Sequence, residues 1–357
     1  MPENGPRSAR FDRRLFLSGA LGATTVAALA GCAKGSTASG STLATTAPLP
    51  SSVPSGTKLS ITSPLGGNQL QTELSGQAKS LPFAVSDWPN ISAGPDVINA
   101  FRAHSADLAS NAGIPPIQSH FQGLDARIVA VNITRKPTYV FATKPHSDIK
   151  SVADFRGKKL AFSQGQAQGV VLLRALNAAG IKYSEVKLVP LTSDQFLTAL
   201  QASQVDIAPL AISLVGQYLD KYAKDGAHEL RTDVVDLLSI LWSPAEVLAD
   251  KAKAAAIAAY IPVWAKATVW VYEHPEDWIQ KYYVKGQGID EAQAKDIVQR
   301  SNRPLFPPSW DEAIAWEQKT IELLAAGGFV KKFKADVVFD RRFEHLAANA
   351  VDPSYRK

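Results

Sequence analysis

The sequence predicts an α/β protein with a largely parallel sheet and a helical C-terminal part. Three observations carry this. Between Thr143 and Leu210, apolar runs of strand length alternate with stretches of helical periodicity. Beyond about Trp242 the periodicity is helical almost throughout. The chain left after residue 56 is about 300 residues long, enough for two lobes with substantial cores.

The first segment is not part of that core. Arg13 and Arg14 precede an apolar, small-residue run that ends at Gly31. A charged start followed by a short apolar stretch is the plan of an export signal. Paired arginines in this place suggest the twin-arginine route. The run is short for a membrane span, which needs about 20 apolar residues. Leu29-Ala30-Gly31-Cys32 resembles the lipobox of bacterial lipoproteins, which implies cleavage before Cys32 and lipidation of its thiol. Acyl chains bind a membrane by about 0.8 kcal/mol per buried methylene. An ordinary buried cysteine is the other reading. Cys32 is the single cysteine of the chain, so there is no disulfide framework and no cysteine metal site. Residues 33–56 are rich in Ser, Thr, Ala, Gly and Pro and read as a flexible linker.

The elements then follow in order. "KLSITSPL" (Lys58 to Leu65) is a strand broken by Gly66-Gly67-Asn68, and Leu70, Leu74 and Ala78 space a helix after it. "LPFAVSDW" is a second strand. "AGPDVINAFRAH" opens a helix with Pro95 in its first turn. "ADLASNAG" is a short strand and turn, and "ARIVAVNIT" and "PTYVFATK" are strands. Ser151 and Asp154 form a capping-box-like start. "KKLAF", "EVKLVPL" and "QVDIAPL" are strands. Between them lie a helix ended by Gly180 and another capped by Ser193 or Asp194. Pro262 is expected to kink the long apolar helix that follows. No segment after Cys32 reads as long and apolar enough to span a bilayer.

Charge and motif inventory exclude several functions. The net charge is +5, and residues 1–31 hold four Arg and two acidic residues, which leaves +3. That is too mild for a nucleic-acid partner. There is no G-x-S-x-G elbow and no H-E-x-x-H helix. The six histidines are scattered, none paired at metal-ligand spacing. The sequence therefore predicts no catalytic residues, no metal and no cofactor.

The stretch from Tyr139 to Ala208, with "SDIKSVADFRGKKLA" at Ser147 to Ala161, resembles substrate-binding proteins of ABC importers. It is most similar to the aliphatic sulfonate, taurine and nitrate branch. "AGPDVINAFRAHSADLASNAGIPPI" upstream resembles the same family, and the likeness runs over residues 58–340. The resemblance implies a two-lobed periplasmic-binding-protein fold with an interlobe ligand cleft. Lobe 1 is expected over 57–142 plus 240–342, and lobe 2 over 143–239. It implies hinge closure on a small molecule, monomeric action, and delivery to a permease and ATPase at the outer face of the cytoplasmic membrane. An enzyme related to thiamine-precursor synthesis and a sensor lipoprotein are the alternatives.

Strand ends that run into helix N-termini offer unpaired N–H groups and a positive dipole. "SAGPD" at Ser92 to Asp96 and "SQGQAQ" at Ser163 to Gln168 have this form. Carried over from the family, the expected ligand-binding residues are Gly66, Gly67, Asn68, Gly94, Pro95, Gly113, Ile114, Ser163, Gln164, Gly165, Gln166, Asp206 and Leu210. The chain also departs from the family pattern. A His-Tyr pair is Gly169-Val170 here, an aromatic "WDP" is Ala208-Pro209-Leu210, and Asp96 adds negative charge near a helix N-terminus. These departures point to a ligand larger or less polar than a small sulfonate.

Overall fold

Hydrogen bonding sorts the strands into separate sheets. In the computed structural model, which describes residues 43–357, β1 (Lys58–Ser60) and β2 (Ala84–Asp87) form a parallel pair. A bridge from Ile61 to Leu108 ties that pair to the next sheet. There β10 (Leu238–Pro244) lies between β3 (Ala109–Ala112) and β4 (Ala126–Ile133), antiparallel to both. The remaining sheet has the order β7-β6-β8-β5-β9. Its strands are β5 (Tyr139–Thr143), β6 (Lys159–Phe162), β7 (Lys187–Pro190), β8 (Ile207–Ala211) and β9 (Glu229–Leu230). β6 runs parallel to β7 and β8, while β5 is antiparallel to its neighbours.

Helices cover the sheets. α1 (Gly67–Leu74), α2 (Gly94–Arg102) and α3 (Ile114–Phe121) follow β1, β2 and β3. α4 (Ala167–Ala178) follows β6, α5 (Phe196–Gln201) follows β7, and α6 (Ile212–Tyr222) follows β8. The chain then runs through α7 (Ala245–Ala249), α8 (Lys251–Glu273) and α9 (Pro275–Trp278). A π-helical turn at Ile279–Val284 leads to α10 (Lys285–Gln287), α11 (Glu291–Gln299) and α12 (Asp311–Ala326).

Each large sheet has its own core. Around the first, Trp242 is fully buried and sets its ring edge-on to Phe101 at 4.7 Å. Around the second, α4 fills one face with Val171, Leu172 and Leu176, while Leu200, Leu210 and Tyr218 fill the other. Gly180 ends α4 with φ +64, where a side chain would be strained. Two segments, 134–138 and 231–237, join the halves. They are bonded to one another by Thr134 N–H donating to Leu237 O at 2.7 Å.

Several expectations change. β5 pairs with β8 and β9, so the first crossing precedes Tyr139 rather than following residue 142. Residues from Leu43 are not a free linker. Leu43 N–H donates to Ala249 O at 2.7 Å, and Leu49 and Val53 pack on the first core. Spaced aliphatic residues bury area, and the prolines between them leave less backbone freedom to lose. α8 passes unbroken through Pro262. Among the described helices α8 is also long and apolar enough to cross a membrane by length and composition, contrary to the expectation above. More than half of its apolar window is buried, with Ile257, Ile261 and Trp264 inside the first core. The helix after β7 is started by Thr192, whose N–H donates to Gln195 Oε1, and not by Ser193 or Asp194. The expected signal at residues 1–31 and Cys32 lie outside the described residues.

Candidate functional site

In a parallel sheet the strand C-termini and the helix N-termini they feed share one edge, so β6 and β8 deliver Ser163 and Ala211 to the same rim. In the first half β3 delivers Gly113 and β2 leads to Gly94. These two rims meet. A Cβ on Gly94 would lie 2.6 Å from Pro115 Cγ and 3.0 Å from the Gly165 carbonyl oxygen. A Cβ on Gly165 would lie 3.4 Å from Gln118 and 3.6 Å from Pro95. Three of the expected site segments therefore converge, and glycine is what lets the backbones approach.

Amide side chains stitch the contact. Gln118 Nε2 donates to Gln164 O at 3.1 Å, and Gln164 Nε2 donates to Phe329 O at 2.7 Å. Gln166 is buried and spent on neighbouring loops. Its Oε1 accepts from Ser163 Oγ at 2.5 Å and from Ser193 N–H at 2.8 Å, while its Nε2 donates to Ser193 Oγ at 2.7 Å. Gln166 thus holds the Ser163 loop to the start of α5 rather than offering free polar atoms.

Beside this contact lies an interlobe space of about 610 Å³. Pro95, Ile98, Gln118 and Gln122 line it from the first half. Phe162 to Gly165, Leu188, Pro190, Leu191, Thr192 and Gln195 line it from the second, with Phe329 at the edge. No lining side chain is charged. The rings of Phe162 and Phe329 lie 4.8 Å apart.

The Gly66-Gly67-Asn68 turn sits elsewhere on the first half. Gly66 has φ +74, and Asn68 Nδ2 donates to Thr62 O at 2.9 Å. A Cβ on Gly67 would lie 3.4 Å from Tyr282 Oη. Segment 275–299 grips this turn through Gln287 Nε2, which donates to Leu65 O at 3.0 Å. The same segment grips α6 of the other half through Gln293 Nε2 to Asp220, and packs Ile289 and Ile297 near Ile212.

Besides that turn, Asp206, Leu210 and Ile114 fall outside the site. Asp206 stands at the opposite end of β8 from Ala211. Its Oδ1 pairs with Lys144 Nζ at 2.6 Å and its Oδ2 accepts from Lys159 N–H at 2.8 Å. Burial pushes this carboxyl up, but those two partners outweigh it and hold the group below its ordinary value. Leu210 is a core residue paired with Val140. Ile114 is likewise buried, packed with Ile117 and Leu324 of α12. Gly113 faces a group that the sequence did not announce, since a Cβ there would lie 1.9 Å from Glu317 Oε1. Gln118, Gln122 and Phe329 were also missed. Gln118 was recoverable, one helical turn beyond Pro115.

Residues 90–278, more than half of the chain, match the NMT1/THI5-like family. The chain belongs to the NMT1/THI5-like family. This NMT1/THI5-like chain is 35% identical over 128 residues to a protein of Escherichia coli (strain K12) named for binding aliphatic sulfonates. That stretch is 36% of this chain and 40% of its relative, so less than half of the relative's length is matched. Two solved structures share the fold. The periplasmic aliphatic sulphonate binding protein of Escherichia coli is 25% identical, with a TM-score of 0.64 over 81% of this chain and 91% of that one. The alkanesulfonate-binding protein of Xanthomonas axonopodis pv. citri, bound to MOPS, is 20% identical, with a TM-score of 0.67 over 86% and 99%. The NMT1/THI5-like chain has the periplasmic-binding-protein fold.

Proposed function

We propose that the protein is an extracytoplasmic solute-binding protein of an ABC importer. It captures a small organic molecule between its two halves and delivers it to a permease and ATPase. The observation that carries this reading is the interlobe space lined from both halves around Gly94, Pro95 and the Ser163 loop.

The lining also bears on the ligand. A bare inorganic anion in a space without a charged side chain would have only dipoles and amides to replace its hydration. Phe162, Phe329, Leu188 and Ile98 suit an apolar body, and the glutamines suit one polar group. The solute is therefore a sulfonate carrying an apolar part, or a less polar organosulfur or heterocyclic compound. The purified full-length chain in mild detergent is expected to melt higher with MOPS or a larger organosulfur compound than with taurine, nitrate or sulfate. Ligand at about 100 times its Kd stabilises the bound form by about 2.7 kcal/mol. Taurine or an inorganic anion giving the largest shift would overturn the ligand class. No shift with any of these, and no small molecule carried through purification from the host, would overturn solute capture.

Membrane attachment rests on Cys32. Cys32→Ala is expected to release the protein from the membrane fraction or leave an uncut precursor, read by mass and by fractionation. A variant that partitions and weighs as the unaltered protein does, apart from the substitution, would rule the anchor out.

A further inference from the structure

Where the halves are joined, four segments converge around a buried acid at the edge of an open groove. Glu317 of α12 is 1% exposed, and its Oε2 has no hydrogen-bond partner. Its Oε1 is set directly against the Gly113 turn, with Leu238 beside it on the same side of that glycine. Asp236, in the second crossing, is buried with it. Arg174 of α4 supplies the positive charge. Its guanidinium does not bond either acid. It lies 3.9 Å over the Trp316 ring and donates from Nη2 to Thr320 Oγ1 at 2.7 Å, with Nε left unpartnered. Tyr139 of β5 faces Asp236, while Arg135, Asp233 and Lys319 line an adjoining groove with Arg174.

A structural ion pair would be hydrogen-bonded, because breaking or leaving unpaired a buried charge costs several kcal/mol. Here two acids and one cation share the space without such bonds. Two ionised carboxylates in that place would leave a buried net negative charge. The cluster is relieved if one acid keeps its proton. It also spans the moving parts, since Gly113 belongs to the first half, Arg174 to the second, and Asp236 to a crossing.

We propose that Arg174, Asp236 and Glu317 form a proton-dependent latch, so that closure of the two halves takes up a proton here and loss of that proton favours opening. The inference rests on the solute-binding reading and assigns its regulation. Burial pushes Glu317 up to about 8, with the Asp236 charge adding and Arg174 opposing. Burial pushes Asp236 up to about 7, again opposed by Arg174. Opening admits water and returns the acids toward their ordinary values near 4. The closed form then carries a proton that the open form lacks between those limits. Closure is therefore favoured at low pH and lost as pH rises through about 7 to 8. Over that window the closed population falls by up to about tenfold per pH unit for each proton taken up.

The test needs no ligand. Hydrogen exchange of the peptides around Gly113, and the emission of Trp316 beneath Arg174, are followed between about pH 6 and pH 9. A step from protected to exposed is expected in the unaltered chain. Glu317→Gln, which mimics the protonated acid, is expected to lose the upper part of the step and keep only the part that Asp236 makes near pH 7. Should that variant fail to fold, Asp236→Asn removes a repelling charge and is expected to move the step to lower pH. Arg174→Gln removes an attracting charge and is expected to move it higher. No step in the unaltered chain, an unchanged step in Glu317→Gln, or an unmoved step in Asp236→Asn each overturns the latch. A melting shift with MOPS is measured independently, so loss of the latch and loss of solute capture are told apart.

Discussion

Gly169→Ala is expected to unfold the entrance to the second half. The new Cβ would stand 1.8 Å from the Ser163 carbonyl oxygen and 2.8 Å from its carbon. Both are backbone atoms and cannot rotate away. The first turn of α4 must then lift off the Ser163 loop, and Gln166 loses its hold on Ser163 and Ser193. Overpacking usually costs 1–3 kcal/mol, and this contact belongs at the top of that range, about 3 kcal/mol or more. Thermal unfolding should show a drop of roughly 6 °C or more. Melting within a degree of the unaltered protein would mean that the loop yields easily. The sequence alone suggested that glycine here removes a polar ligand contact. The structure gives a more basic reason, since no side chain fits.

Trp242→Ala should cost about 3–5 kcal/mol, the range for emptying an aromatic site in a core. Trp242 is fully buried against Phe101, and its Nε1 donates to Asn111 Oδ1 at 2.9 Å. Asn111 in turn donates from Nδ2 to Ser92 O at 3.0 Å, two residues before Gly94. Stability and solute capture should therefore fall together. Trp242→Phe refills most of the volume but leaves Asn111 without its donor, a loss of about 1 kcal/mol from that bond. Urea unfolding checks both, with lower midpoints at unchanged slope. Equal midpoints for the two variants would show that the hydrogen bond, not the volume, governs this position.

How much of this was legible depended on how local each signal was. The alternation from β6 to β8 could be read because apolar runs and Gly180 are all contained in short windows. Membership of β5 could not, since "TYVFAT" is equally suited to either sheet and its partners lie about seventy and ninety residues away. Asp206 was carried over from the family resemblance, and only the placed strand shows that it stands at the far end of β8 from Ala211, bonded to Lys144 and Lys159. The Ser163 loop and Gly94 were picked out by the strand-to-helix rule, and the fold brings the two together. Glu317 was invisible. In "AIAWEQKTIEL" it reads as the polar face of an amphipathic helix, and only the fold sets the Gly113 turn against it.

The grip of segment 275–299 on both halves limits the kinds of motion the protein can make. Two crossings alone would permit bending, twisting and sliding. A third attachment, fixed at Leu65 and Gly67 on one side and at Asp220 on the other, removes most of the twist. What survives resembles a door with a short chain, able to swing about one axis until Gln287 or Gln293 lets go. On the solute-binding reading proposed above, a solute would then enter along that one swing.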